Sequence, residues 1–242
     1  MTLIDISIPL RFGGPQPNAF GVDAATATTL GDTRTGSSVN FEQYTFTPHC
    51  NGTHTECVGH VTDQRISVRD CLKDVVTPAL LVSVEPQLAE NGDRVISRES
   101  LEAVMTGTPL RDRALVVRSL PNDETKLDRI YDESNIPPYF AADAMEFIVE
   151  CGVKHLLVDL PSVDRLFDEG KLVNHRTFWK VEQGNNEVNT ATRLESTITE
   201  LIYLPNEVVD GKYLLNLQIA PFEADAAPSR PLLFDRVFES GF

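Results

Sequence analysis

The chain has 242 residues, 41% hydrophobic and 24% charged, which suits a soluble globular protein with one sizeable core and is short for two independent domains. Acidic residues outnumber basic ones 36 to 21, and the formal charge of −15 repels phosphate backbones, so nucleic acid is excluded as a partner. No run approaches the ~20 apolar residues that span a bilayer, and Met1 to Ser7 carries an acid inside its first apolar run and no basic lead, so the expectation is a cytoplasmic protein without membrane attachment. Four cysteines are too few for a disulfide scaffold, and reduced thiols stay available for metal.

Leu3 to Leu10 reads as a strand, with Leu3, Ile4, Ile6 and Ile8 interrupted by Asp5 and Ser7 and closed by Pro9. From Arg11 to about Ser38 the chain is rich in Gly, Pro, Thr and Ala, too long for an idle connection, and is either a mobile surface loop or part of a site. Within it, Phe12 and Phe20 either pack onto the body or close over a ligand. Val39 to Thr47 alternates as a strand and leads into the most informative stretch of the chain.

That stretch, Pro48 to His60, holds three of the five histidines, two of the four cysteines and the carboxylate of Glu56. Cys50, His54 and Glu56 fall at i, i+4 and i+6, a spacing that no straight strand, rising about 3.3 Å per residue, brings to one point. The backbone must bend between them, and Gly52 supplies the freedom to do so. A thiolate, an imidazole and a carboxylate make three metal ligands and leave a zinc-like ion a position for water, as catalytic sites do. His60 lies within reach and titrates near neutral pH, which suits proton transfer. His49 either replaces Cys50 as a ligand or caps a strand, and Cys50 and Cys57 taken singly also read as small core residues.

Those residues carry a resemblance. The stretch is similar to the signature HxGTHxDxPxH of the metal-dependent cyclase family, which includes bacterial kynurenine formamidases and isatin hydrolases. Gly52, Thr53, His54 and His60 match it, while Cys50 stands at its first histidine, Glu56 at its aspartate and Val58 at its proline. The resemblance implies that Cys50, His54 and Glu56 bind metal and that His60 is the catalytic acid/base. Thiolate in place of imidazole favours zinc over manganese.

Downstream, Ile66 to Leu72 reads as a short helix and Ala79 to Val84 as a buried strand. Ser97 caps a helix over Arg98–Met105 that ends at Gly107, Ala114 to Arg118 is a second buried strand, a helix runs from about Ala141 to Cys151, and Val153 to Asp159 is a third strand. These units imply an α/β core. Cys71 and Cys151 read as core residues and His155 as structural or at the surface. Asp159, Ser162 and Asp164 follow the end of the third strand, where α/β proteins place ligand-handling groups, and look like the family's largely structural Asp-x-x-Ser-x-Asp turn. Glu200 interrupts the strand-like run Ser196 to Leu204, an expensive place for a carboxylate unless it is paired or bound to metal. The resemblance puts His175 and Glu200 on a second metal; the rivals are a solvent-facing loop for His175 and a salt bridge to Arg118 or Arg230 for Glu200. Lys212 to Phe222 and Pro228 to Phe234 close the chain as strands, so the resemblance runs from Leu3 to about Phe234.

The resulting expectation is one α/β domain over residues 1–242, of the swivelling β/β/α type that the resemblance implies, with a mixed sheet and flanking helices. The expected function is a metal-dependent amidohydrolase that cleaves a carbon–nitrogen bond of a small amide, N-formyl compound or cyclic amide with metal-activated water. It would use one or two zinc ions, or manganese, and act on a small-molecule substrate as a homodimer or homotetramer. The competing expectation is a binding protein with a closed structural zinc site. A redox pair of Cys50 and Cys57 has little support, since the two do not sit in a CxxC spacing.

Overall fold

The three continuous apolar runs at 79–84, 114–118 and 153–159 become neighbouring parallel strands at the centre of one large mixed sheet. The computed structural model describes residues 2–107 and 109–235, so the expectation of one domain over 1–242 extends at its ends beyond the described residues. In chain order the first strands are β1 (Leu3–Asp5), β2 (Thr26–Gly31), β3 (Phe41–Thr45), β4 (His54–Glu56), β5 (Val76–Val84), β6 (Gln87–Leu88) and β7 (Arg94–Ile96). They are followed by β8 (Ala114–Ser119), β9 (Tyr139–Phe140), β10 (His155–Val158), β11 (Thr197–Glu200), β12 (Gly211–Asn216), β13 (Ala226–Pro228) and β14 (Leu232–Phe234). The α-helices are α1 (Val68–Cys71), α2 (Arg98–Val104), α3 (Ala142–Glu150) and α4 (Val173–Trp179).

Nine strands form the main sheet in the order β1-β14-β12-β5-β8-β10-β11-β4-β13. The four central strands β5, β8, β10 and β11 are parallel, and every pairing outside them is antiparallel. The central runs are apolar throughout because both of their faces are buried. Leu80, Val82, Leu115, Val117, Leu156 and Val158 face α2, α3 and α4, whereas Leu81, Val116 and Leu157 face a second core with Ile6, Ile202, Leu215 and Leu233. That second core forms because the sheet curls: Ser7 bridges Ile202, and Tyr203 N–H donates to the Ile6 carbonyl at 2.9 Å, so the first strand returns beside the end of β11. Each fully buried leucine contributes about 1.5–3 kcal/mol. This is the mixed α/β fold with flanking helices expected from the sequence.

Several boundaries differ from the expectation. The first strand stops at Asp5 because the Asp5 carboxylate takes both the backbone N–H and the hydroxyl of Ser7, an Asx turn. The segment 11–38 is not irregular throughout: β2 pairs with β3 as a two-stranded ribbon, since Thr26, Thr28 and Thr29 favour extended backbone. The expected run 196–204 is a strand only to Glu200, because Leu201 turns into the left-handed region at φ +54.

Candidate metal centre

The centre is built on β4, which lies between β11 and β13. The register pairs His54 with Glu200 and Glu56 with Ile198, so His54, Glu56 and Glu200 share one face of the sheet. Thr55 and Thr199 point to the other face, where their hydroxyls lie 2.8 Å apart. The backbone before β4 depends on Gly52 at φ +113, where a side chain would be strained. Thr53, buried, fixes the entry: its hydroxyl accepts from Ile8 N–H at 2.7 Å and donates to the Leu201 carbonyl. Beyond β4, Val58–His60 forms one 3-10 turn. There Gly59 admits no side chain at all, since a Cβ would sit 2.1 Å from the Ile66 carbonyl oxygen.

His175 arrives from α4, a helix of seven residues, and is buried rather than on a solvent-facing loop. Asp164 holds it there, accepting from the N–H of Asn174 at 2.7 Å and of His175 at 3.2 Å, with its Oδ2 2.6 Å from His175 Nδ1. The 159–164 turn thus divides its labour. Asp159 turns away to Lys126, Val163 N–H donates to Glu200 Oε1 at 2.9 Å, and Asp164 positions His175. Glu200 does not pair with either expected arginine, because Arg118 engages Asp210 and Arg230 engages Asp5. Its oxygens lie 3.5 Å from His54 Nε2 and 3.6 Å from His175 Nε2.

Glu56 is the hub. Its Oε1 is 2.9 Å from His175 Nε2 and its Oε2 is 2.9 Å from His49 Nδ1. Neither of its oxygens, nor His54 Nε2, nor His175 Nε2, has a partner in hydrogen-bond geometry, although all four are buried. Orphaned buried atoms of this kind are costly unless something else satisfies them. Two acceptor oxygens and two ring nitrogens are a donor set for zinc or a related divalent cation, so the residues fit a metal. Among the described residues, three groups of side chains bring ligand atoms within 4.8 Å of one another: His49, His54 and Glu56; Glu56, His60 and His175; and His49, His60 and Asp225.

Charges follow the carboxylates. Burial works against ionising Glu56, but the positive charges of His60 and His175 outweigh it and hold its carboxyl well below the usual carboxylate range. Burial likewise opposes charge on His49, yet Asp225 and Glu56 raise it to about 10, and Glu56 with Asp164 carries His175 well above the usual histidine range. Without a cation, imidazolium protons balance the acids. Cys50 is buried next to this charge; burial first, then Glu200, pushes its thiol up to about 11, and among the described residues it belongs to none of the three groups.

His60 stacks on His49 at a ring distance of 4.2 Å, and its Nδ1 is 3.3 Å from Asp225 Oδ2. Asp225 also lies 2.9 Å from His49 Nε2. Sequence reading missed Asp225, one of 36 acids in an unremarkable stretch; the only local signal was the pair Ala226-Ala227, small enough to pack as β13 against β4. A cavity of about 440 Å³ opens beside His60 and Asp225, with Gly59, Asp63, Arg65 and Ile66 among its walls. Phe12 lies against Tyr44 at 4.3 Å and Phe20 against Phe167 at 6.4 Å. His155 is buried beside Thr197, its Nδ1 2.9 Å from the hydroxyl, a structural histidine.

Known proteins share this arrangement of elements. The chain is 27% identical over 237 residues to the kynurenine formamidase of Bacillus mycoides (strain KBAB4), covering 95% of this chain and 96% of the relative. It is 26% identical to that of Bacillus anthracis with the same coverage. Among solved structures, isatin hydrolase A from Ralstonia solanacearum superposes with a TM-score of 0.71 at 14% identity, over 96% of this chain and 91% of the other. A predicted metal-dependent hydrolase from Bacillus stearothermophilus superposes at 0.69 and 19% identity, over 97% and 98%. These likenesses show the fold, and the relatives' names are those of hydrolases. The Cyclase family model matches residues 4–165, most of the chain including the whole of β4 and His60, and the protein therefore belongs to the cyclase family.

Proposed function

We propose that the protein is a metal-dependent hydrolase that cleaves a carbon–nitrogen bond of a small amide, N-formyl compound or cyclic amide. The observation that carries this reading is the convergence of four buried, unpartnered atoms from Glu56, His54 and His175 beside a partly exposed histidine. In this reading His54, Glu56, His175 and Glu200 hold one or two zinc ions, or manganese, with a further ligand from His49 or Cys50. A bound ion of this kind supplies Lewis acidity and lowers the pKa of water it contacts to about 7. His60 takes the proton and returns it to the departing nitrogen; Asp225 engages Nδ1, which leaves Nε2 for that transfer. Burial of Glu56 and Glu200 keeps the centre dry on its inner side, which strengthens every charge interaction there.

The cavity beside His60, about 440 Å³, is of the size that holds small molecules. The names of the relatives point first to an aryl formamide such as the formamide of kynurenine, and then to a cyclic amide such as isatin. The ribbon of β2 and β3 exposes Leu30, Phe41 and Tyr44, and isolated two-stranded ribbons are marginal in water. That supports a homodimer or homotetramer, which light scattering reads directly. Four free thiols suit the cytoplasm.

The test is metal content by elemental analysis, followed by hydrolysis of aryl formamides, lactams and lactones before and after chelation. Reversible loss of turnover with the fold intact supports the reading. The His60→Ala protein should keep its metal and lose about 10²–10⁴-fold in turnover, the usual share of general acid–base catalysis. A fully active His60→Ala protein removes that role. Should chelation melt the protein and no amide be cleaved, the centre is a structural zinc site instead.

A further inference from the structure

We infer that His49, through Nδ1, is a metal ligand of this centre and that Asp225 is the carboxylate that orients it, while Cys50 packs alongside without ligating. The inference rests on the reading that the centre holds a metal. Three histidines share one arrangement here. His175 has Nδ1 2.6 Å from Asp164 and turns an unpartnered Nε2 towards Glu56 Oε1 at 2.9 Å. His54 has Nδ1 3.0 Å from the Gly52 carbonyl oxygen and likewise leaves Nε2 unpartnered. His49 repeats the pattern with its nitrogens exchanged: Nε2 is 2.9 Å from Asp225 Oδ2 and Nδ1 is 2.9 Å from Glu56 Oε2. A metal-ligating histidine gives its second ring nitrogen to a carboxylate or backbone carbonyl, which fixes the tautomer and aims the first.

The backbone explains why two adjacent residues differ. Thr47 to Asn51 is a tight turn, in which the Thr47 carbonyl accepts from the N–H of both Cys50 and Asn51 at 3.1 Å, and the Asn51 side chain accepts from Thr47 N–H at 2.8 Å. Successive side chains leave such a turn in different directions. His49 comes within reach of His54 and Glu56, whereas the Cys50 sulfur joins no group of ligand atoms among the described residues. Asp225 is delivered by the sheet itself: its carbonyl accepts from Cys57 N–H at 3.0 Å, just before β13 pairs with β4. The second carboxylate is therefore anchored to the strand that carries His54 and Glu56.

Cobalt substitution tests the assignment without any turnover. Metal-free protein is titrated with Co²⁺ and its visible d–d bands and near-ultraviolet thiolate-to-cobalt band are recorded for wild type, His49→Ala, Cys50→Ser and Asp225→Asn. We expect d–d bands without a thiolate band in wild type and an affinity within about threefold of wild type for Cys50→Ser. Asp225→Asn should bind about 10- to 100-fold more weakly, the usual cost of losing a ligand's hydrogen-bonded support, and His49→Ala more weakly still. A thiolate band in wild type that disappears in Cys50→Ser overturns the inference while leaving the metal centre standing. Unchanged affinity in His49→Ala does the same. Failure of wild type to bind cobalt or zinc removes both the inference and the hydrolase reading. Should His49→Ala not fold, the wild-type spectrum and Cys50→Ser decide alone.

Discussion

Lys126, which packs against the ends of β8 and β10, and Glu56, on β4 of the same sheet, are both charged side chains with almost no exposure, 5% and 1%, and their surroundings are opposite. Lys126 Nζ donates to the Ser119 carbonyl at 2.7 Å, to the Ser119 hydroxyl at 3.1 Å and to Asp159 Oδ2 at 2.8 Å. Asp159 in turn accepts from Ser119 N–H. Every donor of that ammonium group has an acceptor, so the group is complete as it stands. Around Glu56, His49 and His175 approach to 2.9 Å, and four buried atoms still lack partners in hydrogen-bond geometry. A satisfied buried ion pair is architecture, and an unsatisfied convergence of acids and imidazoles is the shape of a cation site. The contrast predicts that one cluster serves the fold and the other serves binding.

Replacing Glu56 with Gln breaks the binding cluster at its hub and carries the largest expected effect. Wild-type protein at a zinc concentration 1,000 times its Kd should gain about 4 kcal/mol of stability. In Glu56→Gln that gain should vanish and turnover with it. Thermal melts with and without zinc read the difference, and an equal zinc shift in both proteins would refute the role of Glu56. The matching change in the closed cluster, Lys126→Met, should leave the zinc shift intact and cost about 3–5 kcal/mol in urea unfolding, because Asp159 is left buried and alone. Adding Asp159→Asn should restore most of that loss while keeping an acceptor for Ser119 N–H. A mild Lys126→Met phenotype would show that the pair is not the closed unit described.

The same contrast explains what could be read from the chain. The first half of the centre was legible because Pro48 to His60 packs its ligand types into consecutive residues. The central strands were legible because burial on both faces makes them continuously apolar, as in Leu80-Leu81-Val82. Glu200 was legible as a carboxylate interrupting a strand-like run, whereas His175 was reached only through a resemblance, since nothing near it in sequence marks α4. That helix starts after Leu172 in the left-handed region, and its cap is Asp164, ten residues before Asn174. Sequence rules for helix starts look for a cap one residue away. Asp225 was illegible for a deeper reason: its meaning comes from the pairing of β13 with β4, which brings it to residues 176 and 165 positions earlier in the chain. β1 and β11 are shorter than their sequence runs because single events end them, an Asx turn after Asp5 and a left-handed Leu201 after Glu200.

His155 sharpens the comparison at its smallest scale, because it is a buried histidine whose charge answers to the opposite neighbours. At the centre, Glu56, Asp164 and Asp225 hold protons on imidazoles against burial. On β10, burial and then the charge of Lys154 depress His155 to about 4, with Arg193 adding to the effect and Asp74 opposing it. The unfolded chain takes up this proton near its ordinary pKa of about 6.5, whereas the folded protein resists it until about 4. Its contribution to stability is therefore complete above pH 6.5 and is lost as the pH falls towards 4, by up to about 3 kcal/mol. Asn at this position keeps a polar partner for Thr197 without titrating. The His155→Asn protein should accordingly lose less stability than wild type between pH 6.5 and 4, as read by urea unfolding at each pH. Equal losses in the two proteins would mean that His155 is protonated in the fold, and that β10 accommodates a charge there as the centre does.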